Sequence, residues 1–358
     1  MDIQSIDHIE LFVENAEEAA AELRDHFGFA LAGRGGARTG LHGCESVLLR
    51  QRAITLLVTS ATSPDHRAAE YVERHGHGIG VVALRVDDAH AAFAEAVERG
   101  ATPVAPPETF GPEGDRVAFA SVIGFGDVEH RFVSRGRTGG PFAPLIEETG
   151  HGSSGEGLLT EVDHLAVCVP AGTLEETVHR YEEIFDLRQT FEERIVVGSQ
   201  AMDSKVVQST SGRLTLTIIE PDVTRAPGQI DRFIEAHDGA GVQHIAFLTE
   251  DILSAVPRSA ERGVRFLTTP PSYYEMLTPR LGRIGVPVEE LREINVLADR
   301  DHAGVMLQIF TESRHERGTL FYELIDRRGA RTFGSNNIQA LYEAVERQQA
   351  SNHQTGLD

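Results

Sequence analysis

The run Thr319-Leu320-Phe321-Tyr322-Glu323-Leu324-Ile325 sets one carboxylate in the middle of an apolar segment. On a strand, residues two apart share a face, so Phe321, Glu323 and Ile325 point the same way. A charge on an apolar face is costly unless a cation or a hydrogen-bonding partner compensates it. Two further strand-like runs each hold one His among apolar residues: Val162-Asp163-His164-Leu165-Ala166-Val167 and Val242-Gln243-His244-Ile245-Ala246-Phe247. His164, His244 and Glu323 together are the ligand set of an open-sided site for iron(II) or manganese(II), with about three positions left for substrate and oxygen. Zinc on the same ligands would serve hydrolysis or elimination instead. The blander alternative is three unrelated buried polar residues.

The elements that must position these residues come from a repeat. Ile6-Asp7-His8-Ile9 opens the chain as a strand, and residues 15–27 follow at helical spacing with Gly28 placed to end the helix. Strand-like segments come near 44–50 and 53–59. A second unit starts at Gly78-Ile79-Gly80, with a strand over 81–86, a helix over 88–99, Gly100 as a stop, and strands near 116–122 and 128–134. Each unit reads β-α-β-β-β, and the same order returns after residue 155. The Gly- and Ser-rich stretch Gly150-His151-Gly152-Ser153-Ser154-Gly155 reads as a linker, which divides the chain into 1–150 and 156–358.

The repeat sharpens the metal reading. His164 matches His8. Superposing the Gly-x-Gly runs sets His244 opposite Ala83, and superposing Ile325-Asp326-Arg327 on Val133-Ser134-Arg135 sets Glu323 opposite Arg131. Only the second half then offers a complete ligand set, and the first half reads as a scaffold. The second half also carries an insertion over 271–300, with a helix expected over 287–294. An amphipathic helix is expected from Asn337 onward, its stripe formed by Ile338, Leu341, Tyr342 and Val345.

Composition bounds the rest. A chain of 358 residues exceeds one ordinary core, and 41% hydrophobic with 25% charged residues is globular. The net charge of -22 and the lack of a basic patch argue against nucleic acid or an anionic membrane as partner. Two cysteines, Cys44 and Cys168, make no disulfide framework and point to a reducing compartment. Cys168 shares a strand face with His164 but has no motif around it, so it reads as core. The N-terminal run carries acids early and lacks the apolar core of a signal peptide. The expectation is a cytoplasmic, soluble protein; a homodimer is left open. Gly33-Arg34-Gly35-Gly36 and Gly124-Phe125-Gly126 lack the strand–turn–helix context of a phosphate loop and read as turns.

Five runs, in order, make the chain resemble the 4-hydroxyphenylpyruvate dioxygenase family. They are Asp163-His164-Leu165-Ala166, Gly241-Val242-Gln243-His244-Ile245-Ala246, Leu307-Gln308-Ile309-Phe310-Thr311, Phe321-Tyr322-Glu323-Leu324-Ile325, and Phe333-Gly334 followed by Asn337. They span nearly the whole second half. The resemblance implies an α+β, vicinal-oxygen-chelate fold, in which paired βαβββ modules curl into an open barrel in each of two domains. It implies iron(II) on His164, His244 and Glu323, a 4-hydroxyphenylpyruvate substrate with dioxygen, and activity in the C-terminal barrel alone. It also places Ser204, Gln229, Gln243, Gln308, Phe310, Phe321, Phe333 and Asn337 along the substrate pocket, with the terminal helix as a lid.

Departures from the family pattern bear on the product. Homogentisate-forming members carry Pro-x-Asn before a Glu-Pro pair, where this chain has Thr217-Ile218-Ile219-Glu220-Pro221. Their terminal helix begins Asn-Phe, and here it begins Asn337-Ile338. Thr217, Ile219 and Ile338 match the hydroxymandelate-forming branch, which implies benzylic rather than ring oxidation and, by analogy, a supply role in antibiotic biosynthesis. The competing readings are a homogentisate-forming enzyme, an extradiol ring-cleaving dioxygenase, and a non-catalytic small-molecule-binding protein on the same fold.

Overall fold

The computed structural model describes residues 1–136, 140–149, 157–334, 336, 337 and 339. The expected linker over 150–155, Ile338 and the stripe of the terminal helix lie outside the described residues.

The described residues form four βαβββ units. The first is β1 (Ser5–Val13), α1 (Ala16–Phe27), β2 (Ala30–Gly35), β3 (Cys44–Gln51) and β4 (Ile54–Ala61). After α2 (Arg67–His75) comes the second: β5 (Gly78–Arg85), α3 (Ala89–Glu98), β6 (Pro103–Phe110), β7 (Val117–Phe125) and β8 (Val128–Arg135), with β9 (Ile146–Glu148) as an extra edge. The third is β10 (Glu161–Cys168), α4 (Leu174–Phe185), β11 (Arg188–Val197), β12 (Gln200–Gln208) and β13 (Thr215–Pro221). After α5 (Gln229–His237) the fourth opens with β14 (Gly241–Leu248) and α6 (Ile252–Glu261). It inserts α7 (Pro271–Leu281) and α8 (Val288–Glu293), then closes with β15 (Leu297–Arg300), β16 (Val305–Phe310) and β17 (Phe321–Arg328).

Local chemistry sets the helix ends. The Asn15 side chain accepts from the Glu18 amide at the start of α1, and Gly28 ends that helix at φ 79. Asp88 and Asp251 cap α3 and α6 in the same way. The insertion holds two helices where the sequence pointed to one. α7 starts at Pro271 and carries Pro279 inside, so the proline-rich run reads as loop until tertiary packing buries Tyr273, Tyr274 and Leu277. Gly33 and Gly35 lie in β2 rather than in a turn, because β9 runs so close that a Cβ on Gly33 would meet the Glu147 carbonyl oxygen at 2.8 Å. Gly124 and Phe125 likewise end β7, leaving only Gly126 in the turn.

The strands form two mixed sheets, each curled into a half-barrel, in the orders β6-β7-β8-β5-β1-β4-β3-β2-β9 and β11-β12-β13-β10-β14-β17-β16-β15. One buried cluster takes residues from both sheets and from α1, α3, α4 and α6. In β10, β14 and β17 it takes Leu165, Val167, Ile245, Phe247 and Leu324. Alternation therefore turns His164, His244 and Glu323 to the opposite, concave face. No helix among the described residues is long and apolar enough to cross a membrane.

Buried histidines tie the two halves together. His130 of β8 bonds the Tyr181 hydroxyl of α4 at 2.6 Å, and His75 of α2 stacks on His237 of α5 at 4.4 Å. Burial pushes His130 from 6.5 down to about 4, and burial followed by the neighbouring His75 does the same to His237. The unfolded chain thus takes up more protons than the folded one between those values. Stability from the neutral rings is complete above pH 6.5 and is lost as pH falls toward 4. Each ring contributes at most roughly 3 kcal/mol. The melting temperature is expected to fall steeply across that window; a flat profile would contradict the neutral, buried assignment.

Candidate metal centre

Three neighbouring strands deliver the triad. In the ladder Ala166 of β10 pairs with His244 of β14, and Ala246 of β14 pairs with both His164 and Glu323. The Nε2 atoms of His164 and His244 stand 3.5 and 3.3 Å from Glu323 Oε2. All three ligand atoms lie within 4.8 Å of one another, and all three residues are buried. Two cis ligands at about 2.1 Å from a metal stand about 3.0 Å apart, so this convergence fits one divalent ion. Among the described residues, neither ring nitrogen of His244 has a hydrogen-bond partner, although both are buried. A buried polar atom without a partner is expensive, and a metal ion would satisfy Nε2. Burial holds His244 below its ordinary pKa, partly offset by Glu323, which keeps the ring in the neutral, ligating form.

His164 is aimed by its neighbour. Asp163 Oδ1 accepts from His164 Nδ1 at 2.7 Å, which leaves the Nε2 lone pair facing Glu323. Consecutive strand residues normally face opposite ways. Here the register shifts between Val162 and His164, and the resulting bulge turns Asp163 to the side of His164. Arg327 of β17 holds Asp163 with two bonds of 2.6 and 2.8 Å, and its guanidinium lies over the Phe333 ring at 5.0 Å. Burial opposes ionisation of Asp163, but the bonds from His164 and Arg327 overcome it and hold the carboxyl well below the usual range. Asp163→Asn is expected to weaken divalent-metal binding roughly 10–100-fold. Cobalt(II) titration checks this, and an unchanged affinity would reduce Asp163 to a brace for Arg327.

Sequence reasoning missed Asp163 and Arg327. The signal was present in the repeat: Asp7 and Arg135 form the same device around His8, with Asp7 to His8 at 2.8 Å and to Arg135 at 2.6 Å. The first half keeps the orienting pair and His8 but lacks the other two ligands. Arg131 pairs with Ala83 just as Glu323 pairs with Ala246, so Arg131 does stand in the place of Glu323. The counterpart of His244, however, is Val81 and not Ala83. Each sheet has a bulge at this point, at Gly80 and at Gln243, and the ladders equate Gly78 with Gly241. The Gly-x-Gly runs are thus out of register by two residues, and Val81 is no more a ligand than Ala83. Glu10, paired with Arg131 at 3.0 Å and Thr59 at 2.8 Å, fills the corresponding space.

Comparison with known proteins agrees with this architecture. The Glyoxalase/Bleomycin resistance protein/Dioxygenase superfamily matches residues 5–127 and again 163–276, one match in each half. A probable 4-hydroxyphenylpyruvate dioxygenase of Aspergillus fumigatus is 33% identical over 96% of this chain and 93% of its own length. A 4-hydroxyphenylpyruvate dioxygenase of Dictyostelium discoideum is 30% identical over 97% of this chain and 98% of its own. This chain belongs to the 4-hydroxyphenylpyruvate dioxygenase family. Among solved structures, a triple mutant of 4-hydroxymandelate synthase from Streptomyces coelicolor superposes with a TM-score of 0.88 at 45% identity, covering 98% of this chain and 100% of the other.

The pocket positions named from the family resemblance fall into two groups. Gln308, Phe310, Phe321, Phe333 and Asn337 touch the triad or its partners. Phe321 stacks on His244 at 4.9 Å, Phe310 meets His244 edge-on at 5.9 Å, and Phe333 meets His164 edge-on at 5.2 Å. Gln308 donates to Glu323 Oε1 at 3.2 Å, and Asn337 donates to Gln308 at 3.0 Å. Gln243 is the buried extra residue of the β14 bulge, next to His244. The second group lies farther along the concave sheet. Thr217 and Ile219 of β13 pair with Ala166 and Cys168 of β10, and Ser204 of β12 lies directly across from Ile219. Gln229 is the first residue of α5. Cys168 is core, packed with Ile195, Met202, Ile230 and Phe233.

Proposed function

We propose that this protein is an iron(II)-dependent, cytoplasmic oxygenase that converts 4-hydroxyphenylpyruvate and dioxygen to 4-hydroxymandelate and carbon dioxide. The observation that carries the reading is the buried convergence of His164, His244 and Glu323 on one concave face. Bound iron(II) would supply dioxygen activation and a Lewis-acid seat for the 2-oxo acid. The chain's own residues do the rest. Asp163 fixes the tautomer of His164, and Gln308 occupies Glu323 Oε1 so that Oε2 faces the imidazoles. Phe310, Phe321 and Phe333 form an apolar wall suited to an aromatic ring and to the exclusion of water. The unit 156–358 is the catalytic one and 1–150 the scaffold, because the first half sets Val81 and Arg131 at two of the three ligand positions.

The choice of product rests on Thr217 and Ile219, with Ile338, and is supported by the 45% identity to a 4-hydroxymandelate synthase. The homogentisate-forming alternative is supported by relatives named 4-hydroxyphenylpyruvate dioxygenase at 30–33% identity. The deciding experiment incubates anaerobically purified protein with iron(II), 4-hydroxyphenylpyruvate and oxygen. Products are separated against authentic standards, since the two share a mass. Hydroxymandelate is expected. Homogentisate would leave the metal centre standing and sink the product assignment, and turnover to neither would shift weight to a binding protein.

A further inference from the structure

The inserted helices α7 and α8 set the fourth unit apart from the other three. Helix α7 carries Tyr273 and Arg280, and both reach toward the metal centre through Asn337. Tyr273 donates its hydroxyl proton to Asn337 Oδ1 at 2.6 Å, and Arg280 donates to the same oxygen at 3.0 Å. Asn337 then donates its amide to Gln308 Oε1 at 3.0 Å, and Gln308 donates to Glu323 Oε1 at 3.2 Å. Tyr273, Asn337, Gln308 and Glu323 are all buried.

An amide side chain can present either its oxygen or its nitrogen, so a chain of amides can run in two directions. A guanidinium can only donate and a carboxylate can only accept, so the two ends of this chain impose the same direction. With Arg280 at one end, the Asn337 oxygen must face it and the Asn337 NH₂ must face Gln308. Gln308 then receives at its oxygen and must turn its own NH₂ to Glu323. Glu323 Oε1 is thereby occupied by an N–H donor, and only Oε2 faces His164 and His244. The turn at Gly334 packs closely against Gln308. Gly334 sits at φ +76, and a Cβ there would collide with Gln308 Oε1 and with Met306.

We infer that Arg280, with Tyr273, is a positioning residue that anchors the Asn337–Gln308 relay at the end remote from Glu323 and so holds an N–H on Glu323 Oε1, leaving Oε2 toward the metal site. The inserted helix thus acts on the metal ligand without touching it. This rests on the metal-centre reading above.

The test uses cobalt(II) binding to the metal-free full-length protein, together with melting temperatures of the metal-free forms. Asn337→Asp keeps the shape and can pair with Arg280 but cannot donate to Gln308, and its second oxygen competes with Glu323 Oε1 for the Gln308 NH₂. Arg280→Met removes the charged donor and leaves Asn337 Oδ1 only the Tyr273 hydroxyl, and Arg280→Lys retains a charged donor. Asn337→Asp and Arg280→Met are expected to weaken cobalt(II) binding about tenfold or more, in the range of outer-shell changes at metal sites. Arg280→Lys is expected to stay near wild type, and Asn337→Asp to melt no lower than wild type without metal. A purely structural role would lower the melting temperature and leave the affinity of the folded protein unchanged. If both variants bind cobalt(II) like wild type, the inference is overturned; if Arg280→Met does not fold, Asn337→Asp decides alone. Wild-type protein that binds no cobalt(II) would bring down the metal-centre reading itself, and the relay with it.

Discussion

Replacing Glu323 with alanine is expected to lower turnover of 4-hydroxyphenylpyruvate about 10³-fold or more. The carboxylate is 2% exposed and is the only anionic member of the triad. Two neutral imidazoles alone would leave a divalent cation buried without a compensating charge. Lewis-acid assistance is worth several kcal/mol, and each 1.36 kcal/mol is tenfold in rate. The variant is expected to fold. The substitution strands the Gln308 amide, which costs about 1–3 kcal/mol, but it also removes a buried charge. Melting curves with and without cobalt(II) separate folding from ligation, because a ligand that binds only the native state raises the melting temperature. Wild type is expected to gain stability with the ion and Glu323→Ala to gain none. Turnover near the wild-type rate would show that the chemistry lies elsewhere.

The second large effect is on product identity. Restoring the homogentisate pattern with Thr217→Pro, Ile219→Asn and Ile338→Phe is expected to raise homogentisate relative to hydroxymandelate by about 10²-fold, the rate change that accompanies a shift of about 1 Å in a reacting atom. Ile219 packs beside Cys168, Ile195 and Met202, so an amide there needs a partner. Ser204 lies directly across the antiparallel ladder and supplies a hydroxyl. Thr217 pairs with β10 on one side and β12 on the other, and a proline in such a central strand forfeits a ladder bond. The double variant Ile219→Asn with Ile338→Phe therefore accompanies the triple. Chromatography against standards gives the ratio. An active triple variant that forms hydroxymandelate alone would remove these three positions from control of the product.

What the sequence alone determined follows from short-range rules. Alternation along a strand decided that His164, His244 and Glu323 turn away from the core formed by Leu165, Ile245 and Leu324, because a strand has a fixed period of two. The internal repeat, read against its own copy, set Arg131 opposite Glu323, and the ladders agree. Capping chemistry placed the ends of α1 and α3 within a residue or so. The tertiary structure decided what depends on departures from those periods or on contacts distant in sequence. Bulges set Asp163 beside His164 and shifted the counterpart of His244 to Val81, and an extra strand residue leaves no mark on composition or spacing. The partner of Asp163 is Arg327, 164 residues away, and the far end of the relay from Glu323 is Arg280 on an inserted helix. Such pairs are fixed by the closure of the sheet around its concave face, where burying a charge or an amide demands a partner that no local pattern specifies.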